Sequence, residues 1–169
     1  MLSRRTVGAW IAGVAVAFAG CAAKPAKPVE TKAMLSASAD VNPDSAGRPS
    51  PIVVRIYQLR GDTEFNNADF FALYEKDKET LGASLIGRDE KTLFPGQQLE
   101  IDLPLSAEAR FVGAVAAYRE LGTSRWRAEI GRPEKPLLKA LSTQRIHINV
   151  GKDAIILSAN KPAGQQEAH

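Results

Sequence analysis

The sequence predicts a mainly β protein built as a two-sheet sandwich. Three features carry that expectation: many short segments in which apolar and polar residues alternate, turn signals between them, and a chain of 169 residues with 44% hydrophobic content. A chain of this size buries enough surface to hold a core without cross-links. The single cysteine excludes an internal disulfide framework and any multi-cysteine zinc site.

The first alternation sets Leu35, Ala37 and Ala39 against Ser36, Ser38 and Asp40. The segment Ile-Val-Val-Arg-Ile-Tyr-Gln-Leu at 52–59 is rich in β-branched residues and gives the strongest strand. An Asn67-capped helix is expected over about 67–81, with Phe70, Leu73, Tyr74 and Leu81 on one face, Asp77 as a polar interruption and Gly82 as its stop. Asp89-Glu90 reads as a solvated loop edge, and Pro95-Gly96 as a turn. Leu99, Ile101 and Leu103 then alternate with polar neighbours, and 105–110 reads as a short turn of helix. Residues 111–118 are apolar on both faces, which places that strand centrally. Trp126, Ala128 and Ile130 form a further strand; Ile146, Ile148 and Val150 form another, turning through Gly151-Lys152-Asp153 into the last at 154–157. The sandwich is expected over 34–160 and a flexible polar tail over 161–169.

The N-terminus sets the compartment. Arg4-Arg5 precede an apolar run from Val7 to Gly20, too short for a bilayer core that needs about 20 residues as a helix. A basic start, an apolar middle and a small-residue end form the layout of a secretory signal over 1–20. Phe18-Ala19-Gly20-Cys21 resembles a bacterial lipobox, which implies acylation of the Cys21 thiol and cleavage before it. Ala22 is not the aspartate that commonly retains such proteins in the inner membrane, so the resemblance points to the outer membrane. Residues 22–33, with two prolines and three lysines, read as a linker. Losing Arg4 and Arg5 with the signal would lower the net charge from +3 to +1, which leaves no strong basic field for nucleic acid.

No nucleophile elbow, phosphate-binding loop, zinc-protease helix or dinucleotide fingerprint occurs. His147 falls on a strand whose other face is apolar and reads as solvent-facing, not as a catalytic base. Asp40 and Asp44 around Asn42 offer too few carboxylates, at the wrong spacing, for a calcium loop. What remains is the connection between the first two strands, residues 40–51. It is longer than a tight hairpin and stiffened by prolines, with Asn, Asp and Arg supplying hydrogen-bonding ends. From the residues alone, a docking loop and a merely rigid connection are equally well supported.

The motifs in order are Asn42-Pro43, Gly47-Arg48-Pro49-Ser50-Pro51, and the run Val53-Val54-Arg55-Ile56-Tyr57-Gln58-Leu59. Phe65, Ala68-Asp69-Phe70, Leu73, Asp77 and Pro95-Gly96 follow, then Val112-Gly113, Val115-Ala116-Ala117-Tyr118-Arg119 and Trp126-Arg127. Together with the lipobox they resemble the TssJ family of type VI secretion lipoproteins. That resemblance implies a transthyretin-like sandwich with a short helical insertion, no enzymatic activity, and no cofactor beyond the covalent lipid, palmitate included, on Cys21. It implies anchoring at the periplasmic face of the outer membrane. It also implies binding to the periplasmic part of TssM, and through TssM to TssL, by the loop between the first two strands. Carried onto this chain, the candidate contacts are Asn42, Pro43, Asp44, Gly47, Arg48 and Pro49. A pilotin-like lipoprotein of another envelope complex, or a small-ligand-binding sandwich, are the alternatives; the latter would need converging ionisable groups in a pocket.

Overall fold

The computed structural model describes residues 27–133 and 144–159. Cys21 and the 161–169 tail lie outside the described residues. Eight strands and a helical insertion follow in the order β1 (Thr31–Ala37), β2 (Ile52–Leu59), α1 (Thr63–Asn67), α2 (Phe70–Glu75), α3 (Asp77–Leu81), a 3-10 turn (Gly82–Ser84), β3 (Leu85–Leu93), β4 (Gln98–Asp102), β5 (Phe111–Ala116), β6 (Arg127–Gly131), β7 (Gln144–Val150) and β8 (Ile155–Ala159). The strands form two four-stranded sheets, β4-β1-β7-β8 and β3-β2-β5-β6. The two-sheet sandwich is the fold the alternation predicts. β1 pairs antiparallel with β4 and parallel with β7; the other pairings between these strands are antiparallel.

The core between the sheets is aliphatic. Ala33, Leu35, Ile52, Val54, Ile56, Val112, Ala114, Ile146 and Ile148 are all fully buried there. Strand β5 is central, between β2 and β6, as its apolar faces require. A second apolar cluster lies on the outer face of the β3-β2-β5-β6 sheet. Tyr57, Leu59 and Val115 point outward and are covered by Phe65, Phe70, Leu73 and Leu81 of the insertion. This third layer explains why β2 and β5 carry apolar residues on both sides. The Phe65 ring sets its tip against the strand where β5 has no side chain: a Cβ on Gly113 would stand 2.7 Å from its Cζ. Arg127 ties the insertion down, donating from Nη1 to the carbonyls of Phe65 (2.7 Å) and Ala68 (2.9 Å). Burial draws its guanidinium below the usual range. The Tyr57 hydroxyl donates to the Leu73 carbonyl at 3.0 Å.

Four expectations are corrected. The first strand starts at Thr31, inside the stretch read as linker, because Thr31 and Ala33 continue the buried face; Val29 already forms a bridge with Leu105. That bridge, followed by a turn in which Ala109 N–H donates to Ser106 O at 3.1 Å, stands where a turn of helix was expected. The helix expected over 67–81 is three short helices starting at Thr63. Asn67 ends α1, and Asp69 caps α2 by accepting from Ala72 N–H at 2.9 Å. The run breaks at Lys76, whose φ of −130° is not helical. Asp77 then turns inward, buried, and meets Arg88 at 2.5 Å. Finally, Asp89-Glu90 belongs to strand β3, where Glu90 accepts from Arg55 Nε at 2.6 Å. β3 is an edge strand, and its charged run serves an edge that must not recruit other strands.

Strand directions sort the connections between two ends. The β1–β2, β3–β4, β5–β6 and β7–β8 connections gather at one end. The start of β1, the β4–β5 segment and the end of β6 lie at the other. β1 separates them by about 20 Å at the usual strand rise.

Candidate functional site

The β1–β2 loop is braced from within. Asn42 is 4% exposed and adopts a left-handed φ of 49°, a conformation that asparagine tolerates better than most residues. Its side chain bonds on both sides: Nδ2 donates to the Pro51 carbonyl at 2.9 Å, and Oδ1 accepts from the Arg119 N–H at 2.8 Å. Its backbone N–H donates to Lys152 O at 3.1 Å. One residue thus ties the loop to its own exit, to the β5–β6 connection and to the β7–β8 turn. The β3–β4 turn joins through Gly96 N–H, which donates to Ser38 O at 3.1 Å.

The tip is organised by Asp44. Its Oδ1 accepts from the N–H groups of Ala46 and Arg48, both at 2.9 Å, and its Oδ2 accepts from Arg48 Nε at 2.8 Å. Asp44 O accepts from Gly47 N–H at 2.8 Å, and Gly47 takes the positive φ of 76° that closes the turn. The Arg48 N–H, its guanidinium beside it and the Ala46 N–H hold the Asp44 carboxyl below the usual carboxylate range. The brace is therefore fully present above the ordinary carboxylate range and is lost only as pH falls through the lowered folded value.

The expected site residues therefore divide by depth. Ser45, Ala46, Gly47, Arg48 and Pro49 form the exposed tip, Pro43 and Asp44 are half-buried, and Asn42 is inside. Asn42 was expected as a contact; its amide is buried and both its Nδ2 and its Oδ1 are hydrogen-bonded within the loop end, which positions the loop. Sequence reasoning missed Arg119 and Lys152, which the fold brings beside Asn42, and Phe94, 58% exposed on the β3–β4 turn. Counting strand parity would have found them, since every odd-to-even connection falls on one end. His147 sits half-buried on β7, aligned with Met34 and Ser158 along the outer face of its sheet.

The sequence pattern of the type VI secretion lipoprotein family that includes VasD, EvfM and TssJ matches residues 30–153. No curated protein matches the chain. Among solved structures, the crystal structure of the type VI secretion lipoprotein TssJ1 from Pseudomonas aeruginosa is similar, with 35% identity and a TM-score of 0.71 over 79% of this chain and 98% of that one. A chain of a type VI membrane complex is 30% identical, with a TM-score of 0.66 over 78% of this chain and 99% of that one. A chain of the structure described as the type VI secretion protein TssM C-terminal domain (869–1107) from EAEC is 29% identical, with a TM-score of 0.62 over 76% and 97%. The matched family is one of structural secretion lipoproteins and not of enzymes. With its two-sheet sandwich and braced loop end, the chain belongs to the type VI secretion lipoprotein family and is a membrane-anchored component of that secretion system's membrane complex.

Proposed function

We propose that this chain is the outer-membrane lipoprotein of the complex, acylated at Cys21 on the periplasmic face, and that its β1–β2 loop docks the periplasmic part of TssM, which in turn reaches TssL. The observation that carries the reading is the placement of a cross-braced loop with an exposed Ala46-Gly47-Arg48-Pro49 tip at the end of the sandwich away from the N-terminal tether. A membrane anchor at one end leaves that tip facing the periplasm. A loop fixed before contact loses little conformational freedom on binding, and confinement to a surface removes much of the translational cost of assembly. The domain limits follow the same reading: a signal over 1–20, an acylated Cys21, a short spacer, and the sandwich.

Arg48 tests the interface because its side chain is 80% exposed and its loss leaves the Asn42 brace intact. Arg48→Glu is expected to weaken binding to the TssM periplasmic domain by at least tenfold, about 1.4 kcal/mol, while the melting temperature falls by no more than about 3 °C, the share of one exposed ion pair. Titration calorimetry reads this directly, and an unaltered affinity would move the interface off the loop tip. Cys21→Ser is expected to give a folded protein that no longer fractionates with the outer membrane and no longer supports secretion. Normal fractionation of that variant would reject the anchor.

A further inference from the structure

A basic recess lies at the tether end. It is shallow and open, about 700 Å³, and is lined by Arg60, Ala107, Glu108, Ala109, Arg110 and Arg132. Three segments meet there: the exit of β2, the turn before β5 and the exit of β6. Arg60 is paired, with Nε and Nη2 donating to Glu108 Oε2 and Nη1 to the Ala83 carbonyl. Arg132 is held by the turn, Nη1 donating to Ala107 O (2.8 Å) and Ala109 O (3.3 Å), while its N–H donates to Arg110 O at 2.6 Å. Arg110 is exposed, and no side-chain partner engages it among the described residues. Among the described residues that line the recess, three guanidinium groups thus stand with one carboxylate; Glu108 and backbone carbonyls hold Arg60 and Arg132, and Arg110 is left free to meet an anion.

The same turn receives the tether. Val29 N–H donates to Leu105 O at 2.8 Å, and Leu105 N–H returns to Val29 O at 3.0 Å. The free spacer is therefore no longer than residues 22–28, which at full extension of roughly 3.5 Å per residue reaches about 25 Å. An acylated Cys21 would hold this end of the sandwich within that distance of the bilayer. We propose that the Arg60–Arg110–Arg132 recess is a membrane-facing surface that takes the anionic headgroups of the phospholipids in which the chain is anchored. Arginine suits the task because its planar fork grips a phosphate with two parallel N–H bonds. The attraction acts only near the surface, since it fades within a Debye length of about 8 Å at physiological salt. Its consequence is orientation: the anchor sets proximity, and the recess keeps the loop end pointed away from the bilayer.

This inference rests on acylation at Cys21, and its test separates the two. The native lipoprotein is placed in nanodiscs of phosphatidylcholine alone and of phosphatidylcholine with phosphatidylglycerol, and amide hydrogen exchange is followed by mass spectrometry. The mass of the N-terminal peptide reports whether the anchor is present. An unacylated peptide would overturn the anchor, and with it the premise. With the anchor in place, exchange across 106–110 is expected to slow about fivefold in the anionic discs, the effect of one arginine at an anionic surface. The protection should vanish in Arg110→Ser and at high salt, while exchange across 45–49 stays unchanged throughout. Equal exchange in both discs, or protection that survives Arg110→Ser, would overturn the recess as a headgroup surface. So would equal protection from inorganic phosphate added to the neutral discs, which would make it a free-phosphate site.

Discussion

Asn42→Ala is expected to lower stability by about 3 kcal/mol, and the melting temperature by roughly 6–12 °C for a chain of this size. Two causes add. The Pro51 carbonyl and the Arg119 N–H lose their partner, each costing about 1 kcal/mol, and alanine must hold a left-handed backbone that costs about 1 kcal/mol more. Asn42→Gly separates them, because glycine adopts φ 49° freely and should recover the backbone share alone. The same change should weaken partner binding although Asn42 has no exposed surface to offer, because the tip would lose its fixed position. Thermal melts of both variants beside titration calorimetry would check this. A melting temperature within 1 °C of wild type for Asn42→Ala would show that the loop is held by other means.

Phe65→Ala should be costlier still, about 3–5 kcal/mol, because the ring is fully buried between the insertion and β5. Gly113→Ala attacks the same contact from the other side. The added methyl would meet Phe65 Cζ at 2.7 Å and Cε1 at 2.9 Å, and overpacking of that kind costs about 1–3 kcal/mol. Combining Gly113→Ala with Phe65→Leu should restore part of the loss, since the smaller side chain vacates the space the methyl enters. Trp126 reports on the event locally, its ring standing edge-on to Phe70 at 5.4 Å, so its emission should shift when the insertion loosens. Additive losses in the double variant would place the damage somewhere other than this contact.

These residues also mark where the sequence was legible. Strands β1, β2 and β4 to β8 announce themselves because one or both faces are apolar at period two. β3 does not, since an edge strand carries charge where an interior strand would carry valine, and Arg88-Asp89-Glu90-Lys91 hides its period. The insertion reads as one helix because Phe70, Leu73 and Leu81 keep helical spacing across a break that only tertiary contacts impose. Asp77 looks like an interruption of that face until Arg88 is seen to meet it from another element. Asn42 is the sharper case. Polar residues in a loop present the same face to a reader whether they point outward to a partner or inward to the backbone. Only the left-handed φ and the bonds to Pro51 and Arg119 assign it inward.

The parallel pairing of β1 with β7, beside its antiparallel pairing with β4, has a mechanical consequence. The N-terminal spacer enters β1 at Thr31 and the braced loop leaves it just beyond Ala37, so a pull between an anchored N-terminus and an occupied tip runs along this one interior strand. Its hydrogen bonds to both neighbours would then be loaded side by side in shear, sharing the force, and would not be peeled apart one at a time from an edge. The strand that joins the N-terminal spacer to the loop is also the one the sheet grips on two flanks.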